Sequence, residues 1–235
     1  MSLEEVRARL AAAAIALDFD GTLAPIVARP EDARPLPGIA EALGALVPRV
    51  RRLAVVTGRP TAFVRAHLPV DGVEIFGLYG LEGMPPLPDA VVDAVRDVAA
   101  TEPGASLEHK RSTVAVHVRG TADPDGAEAR LRPLLAAIAG RAGLALLAGK
   151  RVLELAPPGG GKGAAVLEVA GDAEAVLVAG DDLADLDAFV ALDGLDAVVC
   201  RVAVLGLETP EELRLRADLV VDGPEGLLEL LRSLV

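Results

Sequence analysis

Two carboxylates, Asp18 and Asp20, follow the apolar run "AIAL" with one aromatic between them, and Gly21 and Thr22 come next. Asp-Gly is ordinary turn chemistry. The pair therefore reads either as a strand end entering a tight turn or as a set of oxygen ligands. Adjacent carboxylates repel each other and become tolerable around a divalent cation, and Mg²⁺ prefers oxygen. Taken alone, the cluster supports a cation site and nothing finer.

Three further clusters follow apolar runs or open a helical pattern. In "VVTGRP" a hydroxyl, Thr57, precedes Gly58. A hydroxyl beside exposed backbone N–H groups can cradle a phosphate, although Thr-Gly is also a plain helix lead-in. In "PPGGGKGAA" Lys162 sits among glycines. The segment is not a P-loop, which needs Gly at Ala156 and Ser or Thr at Gly163. It does match G-x-G-x-x-A over residues 159–164, with Asp181 at the spacing a dinucleotide-binding turn asks for. The alternative is a flexible loop with a solvated lysine. In "VLVAGDDLADLDAF" a strand-like run meets Asp181, Asp182, Asp185 and Asp187. One or two of these acids suit a helix N-terminus, but four exceed what capping requires. Asp185 and Asp187 divide evenly between ligand work and a surface or capping place.

Strands are expected over 12–17, 53–56, 73–76, 175–179, 197–200 and 218–221, and helices over 39–47, 61–67, 163–169, 184–192 and 224–234. This alternation predicts an α/β fold with a parallel sheet. Right-handed crossovers put the strand C-terminal ends on one edge, where ligand sites lie. The middle third differs: helix 89–100, strands 105–109 and 113–119, helix 124–141, then a hairpin of 144–148 and 151–155 turning at Gly149-Lys150. That α-β-β-α-β-β order is a compact α+β unit. The Pro/Gly-rich "GMPPLP" and "APPGGG" bound it, so residues 83–156 read as a domain inserted into a core of 1–82 and 157–235.

With 52% apolar residues but 2% aromatics, the core must be Ala, Val and Leu, and base stacking has few platforms. A net charge of −12 opposes nucleic acid as a partner. The single Cys200 allows no intrachain disulfide, which suits a reducing compartment. The N-terminus starts acidic and reaches Asp18 too soon for a membrane span, so a cytoplasmic protein is expected.

Together the ordered motifs Asp-x-Asp-Gly-Thr, Thr-Gly, Gly-Lys-Gly and Gly-Asp-Asp resemble the haloacid dehalogenase-like phosphatase superfamily, with a C2-type cap between the second and third. More narrowly, "LDFDGTLAPI", "GLYGLEG", "EHKRSTVAVHVR", "KRVLELAPPGGGKG" and "GDDLADLDAF" resemble trehalose-6-phosphate phosphatases over nearly the whole chain. The resemblance implies a Rossmann-like parallel core with helices on both faces and an αββαββ cap. It also implies Mg²⁺-dependent hydrolysis of a sugar phosphomonoester. Asp18 would be the nucleophile and Asp20 the general acid and base, while Thr57, Gly58 and Lys162 would hold phosphoryl oxygens. Mg²⁺ would sit on Asp18, the Asp20 carbonyl and Asp181, with Asp182 behind them. Gly80, Glu82, Lys110, His117, Arg119 and Glu154 would shape the sugar site, and cap closure would exclude water. A pathway link to a trehalose-6-phosphate synthase follows from the resemblance alone.

The chain departs from the family's pattern at Ala184 and Leu186, where Thr and Glu are usual, and at Gly161, where Asn is usual. Sucrose-phosphate or mannosylglycerate-phosphate hydrolysis, NAD(P)-dependent oxidoreduction and a silent sugar-phosphate sensor are the competing readings.

Overall fold

The computed structural model describes residues 3–27, 29–149, 151–158, 160–207 and 209–235. The chain forms two compact units, Met1–Glu82 with Gly161–Val235, and Gly83–Gly160.

The first unit begins with α1 (Leu3–Arg7), β1 (Ala13–Leu17), α2 (Ile39–Leu46), β2 (Arg52–Val56), α3 (Thr61–His67) and β3 (Glu74–Phe76). The second unit contributes α4 (Asp89–Ala99), β4 (Ser106–Lys110), β5 (Thr113–His117), α5 (Pro124–Ala142), β6 (Ala145–Gly149) and β7 (Val152–Ala156). The chain then completes the first unit with α6 (Lys162–Ala170), β8 (Ala175–Gly180), α7 (Leu183–Ala191), β9 (Val198–Leu205), α8 (Glu211–Arg216), β10 (Leu219–Asp222) and α9 (Gly223–Ser233).

The first unit's strands pair in parallel in the order β10-β9-β8-β1-β2-β3. All five residues of β1 are buried, as expected of a central parallel strand covered on both faces. Its alternation assigns each face. Ile15 and Leu17 pack with Leu43 and Leu46 of α2 and Leu227 and Leu231 of α9. Ala14 and Ala16, with Ala54 of β2, pack with Val166 and Val169 of α6 and Phe189 of α7. These alanines are small, so α6 can lie close to the sheet and bring its N-terminus, Lys162, over the ends of β1 and β2.

The chain leaves β1 toward β2 and β3 on one side and returns through β8, β9 and β10 on the other. The reversal falls between β1 and β8, where open α/β sheets form ligand crevices at their carboxyl ends. Leu17 is level with Val55 and Ala179, so Asp18 follows level with Val56 and Gly180, and Thr57 and Asp181 come one residue beyond it on either side.

The strand expected over 197–200 runs on to Leu205 because Arg201 does not end it. Its backbone N–H donates to Asp218 at 2.8 Å and its Nε to the Phe189 carbonyl at 3.0 Å, so the polar residue is absorbed. In the second unit an antiparallel sheet runs β4-β5-β7-β6. Val114, Val116, Leu153 and Leu155 pack beneath Val92 and Val95 of α4 and Leu131 and Leu135 of α5. The residues that alternate with these stand on the other face, where Glu108, Ala115 and Glu154 form a row across three strands. Of the expected Gly149-Lys150 turn, Lys150 lies outside the described residues. Among those residues, no helix is long and apolar enough to cross a membrane.

Candidate active site

The backbone N–H of Asp18 continues the sheet by donating to the Ala179 carbonyl at 3.0 Å. The chain then turns sharply. Leu23 and Ala24 both donate to the Phe19 carbonyl, at 2.9 and 2.8 Å, and Gly21 donates to Ala24 at 2.7 Å. Gly21 has φ of 81°, and a Cβ there would overlap the Asp181 carboxylate, so backbone conformation and close approach both call for glycine. Thr22 Oγ1 donates to Asp181 Oδ1 at 3.0 Å. The "DGT" turn is thus fitted against the acid that follows β8.

After β8, Asp182 caps α7, its Oδ1 accepting from Ala184 N–H at 2.8 Å and Asp185 N–H at 3.1 Å. Asp185 completes the capping box, with Oδ2 accepting from the N–H groups of Asp181 and Asp182 at 3.0 and 3.1 Å. A surface place for Asp185 is wrong: it is fully buried, and its Oδ1 lies 2.7 Å from Lys162 Nζ. Asp187 is exposed and accepts from Gly163 N–H at 3.1 Å, serving the start of α6.

The solvated-lysine reading of Lys162 is also overturned. Its side chain is 2% exposed, and Nζ lies 2.6 Å from Asp18 Oδ1 as well as against Asp185. Nor does the glycine segment form a dinucleotide-binding turn. The strand before it is β7 of an antiparallel sheet, not a strand of a parallel βαβ unit. Its first glycine, Gly159, lies outside the described residues.

Charge is unbalanced here. Burial raises Asp18 to about 7 against the pull of Lys162, and Asp182 and Asp181 push the same way. Burial, with Asp185 and Asp182 nearby, raises Asp181 to about 7. Burial also holds Asp185 well above the carboxylate range despite Lys162. For Lys162 itself, burial disfavours the charge, but Asp18 and Asp185 outweigh it and hold the ammonium well above its ordinary value. Oxygens of Asp18, Asp181 and Asp185 lie within 4.8 Å of one another. An all-oxygen, excess-negative group of this kind fits a hard divalent cation. Asp185 Oδ2 accepts two N–H bonds and its Oδ1 meets Lys162 as an ion pair without a hydrogen bond, so all three carboxylates keep lone pairs to offer. Asp182 serves as a cap, and the Asp20 side chain lies elsewhere.

Asp20 is gripped by Arg59, which sequence reasoning missed although it directly follows Thr57-Gly58. Arg59 Nε and Nη2 donate to Asp20 Oδ2 and Oδ1, each at 2.7 Å. Thr57 is buried, and its Oγ1 accepts from the Arg59 N–H at 3.1 Å, leaving its own O–H to donate elsewhere. Tyr79 was likewise missed. Leu78 and Tyr79 have φ of 50° and 55°, held there by N–H bonds to the carbonyls of Arg59 (3.0 Å) and Thr57 (2.9 Å). Tyr79 thereby stands with its ring 5.8 Å from Lys162 Nζ, and a Cβ on Gly58 would come 3.0 Å from its hydroxyl.

The residues expected at the sugar are divided between the units. Gly80 takes φ of 80° beside Phe76 and Ala165, and Glu82 Oε2 accepts from the Thr61 N–H at 2.9 Å, serving the start of α3. In the second unit, Lys110 Nζ and His117 Nε2 both meet Glu108 Oε2, at 3.3 and 3.0 Å. Glu154 shares that sheet face through its row with Ala115 and Glu108. Arg119 does not share the strand as expected, because β5 ends at His117 and leaves Arg119 exposed beyond it. Glu108, also missed, was visible only as the residue two before Lys110.

A family model described as Trehalose-phosphatase matches residues 16–205. A Mycobacterium tuberculosis protein described as an uncharacterized glycosyl hydrolase is 39% identical over 210 residues, covering 76% of this chain and 15% of that protein. The trehalose-phosphate phosphatase of Mycobacterium avium is 35% identical over 208 residues, 77% of this chain and 51% of that protein. The chain thus spans about half or less of the curated relatives it matches. A crystal structure of Aspergillus fumigatus trehalose-6-phosphate phosphatase superposes with a TM-score of 0.77 at 22% identity, covering 99% of this chain and 95% of that one. At that identity the likeness shows the fold.

Proposed function

The chain belongs to the trehalose-phosphatase family, and from that premise we propose that it hydrolyses trehalose 6-phosphate to trehalose and inorganic phosphate. The observation that carries the reading is the convergence of the Asp18, Asp181 and Asp185 carboxylates with the buried Lys162 at the ends of β1 and β8. A phosphomonoester is a dianion, and its cleavage needs charge stabilisation and in-line positioning above all.

In this reading an Asp18 carboxylate oxygen attacks phosphorus and the bond to the sugar oxygen breaks, while Asp20 gives that oxygen a proton. Water then attacks the aspartyl phosphate, Asp20 takes a proton from it, and the Asp18–phosphorus bond breaks to release phosphate. One group serves as acid and then base because the first step leaves it ionised. Lys162 and the Thr57 hydroxyl bind phosphoryl oxygens, with the Gly58 backbone beside them, and Lys162 favours the ionised form of Asp18 and orients it. Mg²⁺ would be held by Asp18, Asp181 and the Asp20 carbonyl, with Asp182 in support. When bound, it offsets repulsion between the carboxylates and the phosphate oxygens.

Sugar selection falls to Gly80 and Glu82 together with Lys110, His117, Arg119 and Glu154, since a polar site rejects ligands that leave its groups unpaired. Of these, Lys110, His117, Arg119 and Glu154 fall within 83–156, while the phosphoryl chemistry falls within 1–82 and 157–235. We place the reaction in the cytoplasm, which suits the free buried thiol of Cys200, downstream of a synthase that makes trehalose 6-phosphate.

Phosphate release should be measured with Mg²⁺ over trehalose 6-phosphate, sucrose 6-phosphate, a mannosylglycerate phosphate and glucose 6-phosphate. The highest kcat/KM is expected for trehalose 6-phosphate. Preference for another ester would overturn the substrate, and no release from any would overturn the phosphatase.

A further inference from the structure

We propose that Arg59 positions the Asp20 carboxylate for proton transfer, acting as a releasable clamp; this rests on the phosphatase reading above. The two cations at the site are divided. Lys162 serves Asp18 and Asp185, while Arg59 takes both oxygens of Asp20 through Nε and Nη2, at 2.7 Å each. The guanidinium is itself held in place. Its Nη1 donates to the Pro30 carbonyl at 2.6 Å, and its Cζ lies 4.7 Å from the centre of the Phe63 ring. Phe63 in turn meets Phe19, the residue between the two acids, edge-on at 6.0 Å. The Arg59 backbone is tied to the Thr57 hydroxyl oxygen and accepts from Leu78 N–H.

An ordinary surface ion pair has no such frame and contributes little. Here the side chain of Arg59 is 18% exposed, and the guanidinium plane is set independently of the acid it holds. The fork therefore dictates the plane of the Asp20 carboxylate, which a point-charge ammonium could not do. Gripped at both oxygens, Asp20 cannot deliver a proton. Release of one N–H bond frees one oxygen to carry the proton to the leaving sugar oxygen, while the other bond remains as a pivot. Once that proton has left, the fork re-forms on the carboxylate. In the second half one N–H bond opens again and the oxygen it frees takes a proton from water, so each cycle moves one proton out and one in and leaves Asp20 protonated for the next.

The test is a double-mutant cycle on Mg²⁺-dependent phosphate release from trehalose 6-phosphate, with folding checked by thermal melting. Arg59→Ala should lower kcat about 100-fold, at the low end for a lost general acid, with KM changed less than about threefold. In an Asp20→Asn background the same substitution should cost less than about twofold, because the group it acts through is gone. Arg59→Lys, which keeps the charge and tests the clamp should the alanine variant fail to fold, should lose nearly as much as the alanine variant. On p-nitrophenyl phosphate, whose leaving group needs no proton, Arg59→Ala should lower kcat/KM, which reports the first transfer, by less than about tenfold, and a loss as large as on trehalose 6-phosphate would overturn the clamp. Losses that multiply in the double variant, a change confined to KM, or full activity in Arg59→Lys would each overturn the clamp. Absence of phosphate release from the unaltered chain would instead overturn the phosphatase reading beneath it.

Discussion

Asp185→Ala should unfold the first unit at a markedly lower temperature, whereas Asp187→Ala, two residues on, should barely matter. Asp185 is fully buried and makes three contacts: two N–H bonds received at 3.0 and 3.1 Å, and Lys162 at 2.7 Å. Alanine leaves the Asp181 and Asp182 N–H groups without their acceptor, at about 1–3 kcal/mol each. It also leaves Lys162 with Asp18 as its remaining ion-pair partner. Against this, burial makes an ionised Asp185 costly in the folded state, and its removal recovers that cost. Loss of one partner from a buried pair nets about 3–5 kcal/mol. At about 2–4 °C per kcal/mol for a chain of this size, the midpoint should fall by about 6–20 °C. Asp187 is exposed and accepts a single bond at 3.1 Å, so its loss should cost under about 1 kcal/mol. Differential scanning calorimetry in chelator compares the two variants without a metal contribution. Equal small shifts would refute the buried anchor and the charge arrangement built on it.

Gly21→Ala forces a left-handed alanine, at about 1–2 kcal/mol, and drives its Cβ into the Asp181 carboxylate, so it should weaken Mg²⁺ binding in calorimetric titration. Unchanged Mg²⁺ affinity and stability would contradict that turn geometry. Metal-free protein should lose stability as pH rises from about 4.5 toward 7, because Asp18 and Asp181, raised to about 7, bind more protons folded than unfolded across that window. The melting temperature in chelator should therefore be higher at about pH 5 than at about pH 8, and Mg²⁺ should narrow the gap; a rise with pH in chelator would refute the raised carboxyls. Lys110→Ala should impair turnover of trehalose 6-phosphate much more than of p-nitrophenyl phosphate, and equal losses would remove Lys110 from sugar selection.

Much of this architecture is legible in the sequence because buried parallel strands read as continuous apolar runs. The "AAIAL" of β1 and the "AVLVAG" of β8 leave little doubt about type or place. Helix α3 falls at the expected 61–67. The later half of β9 was hidden, since Arg201 breaks the apolar pattern while its bonds to Asp218 and Phe189 satisfy it in three dimensions. At the site, Asp18, Thr57, Lys162 and Asp181 stand out because each follows an apolar run or opens a helix. Residues of the same type at close spacing do not separate so readily. Asp185 and Asp187 are equivalent in the sequence, and only the folded structure buries one against Lys162 and leaves the other exposed beside Gly163. Arg59 reads as a surface charge until its partner, far away in the chain, closes the fork. Tyr79 depends on two consecutive left-handed residues without glycine, a conformation no local pattern announces.

The most direct measurement is Mg²⁺-dependent phosphate release from trehalose 6-phosphate by the unaltered chain and by Asp18→Asn. The substitution preserves size beside Lys162 and removes the attacking oxyanion. Release should be readily measured in the first and lost in the second, with the melting transition kept. Activity retained in the Asn variant would contradict Asp18 as the nucleophile and the mechanism drawn from it.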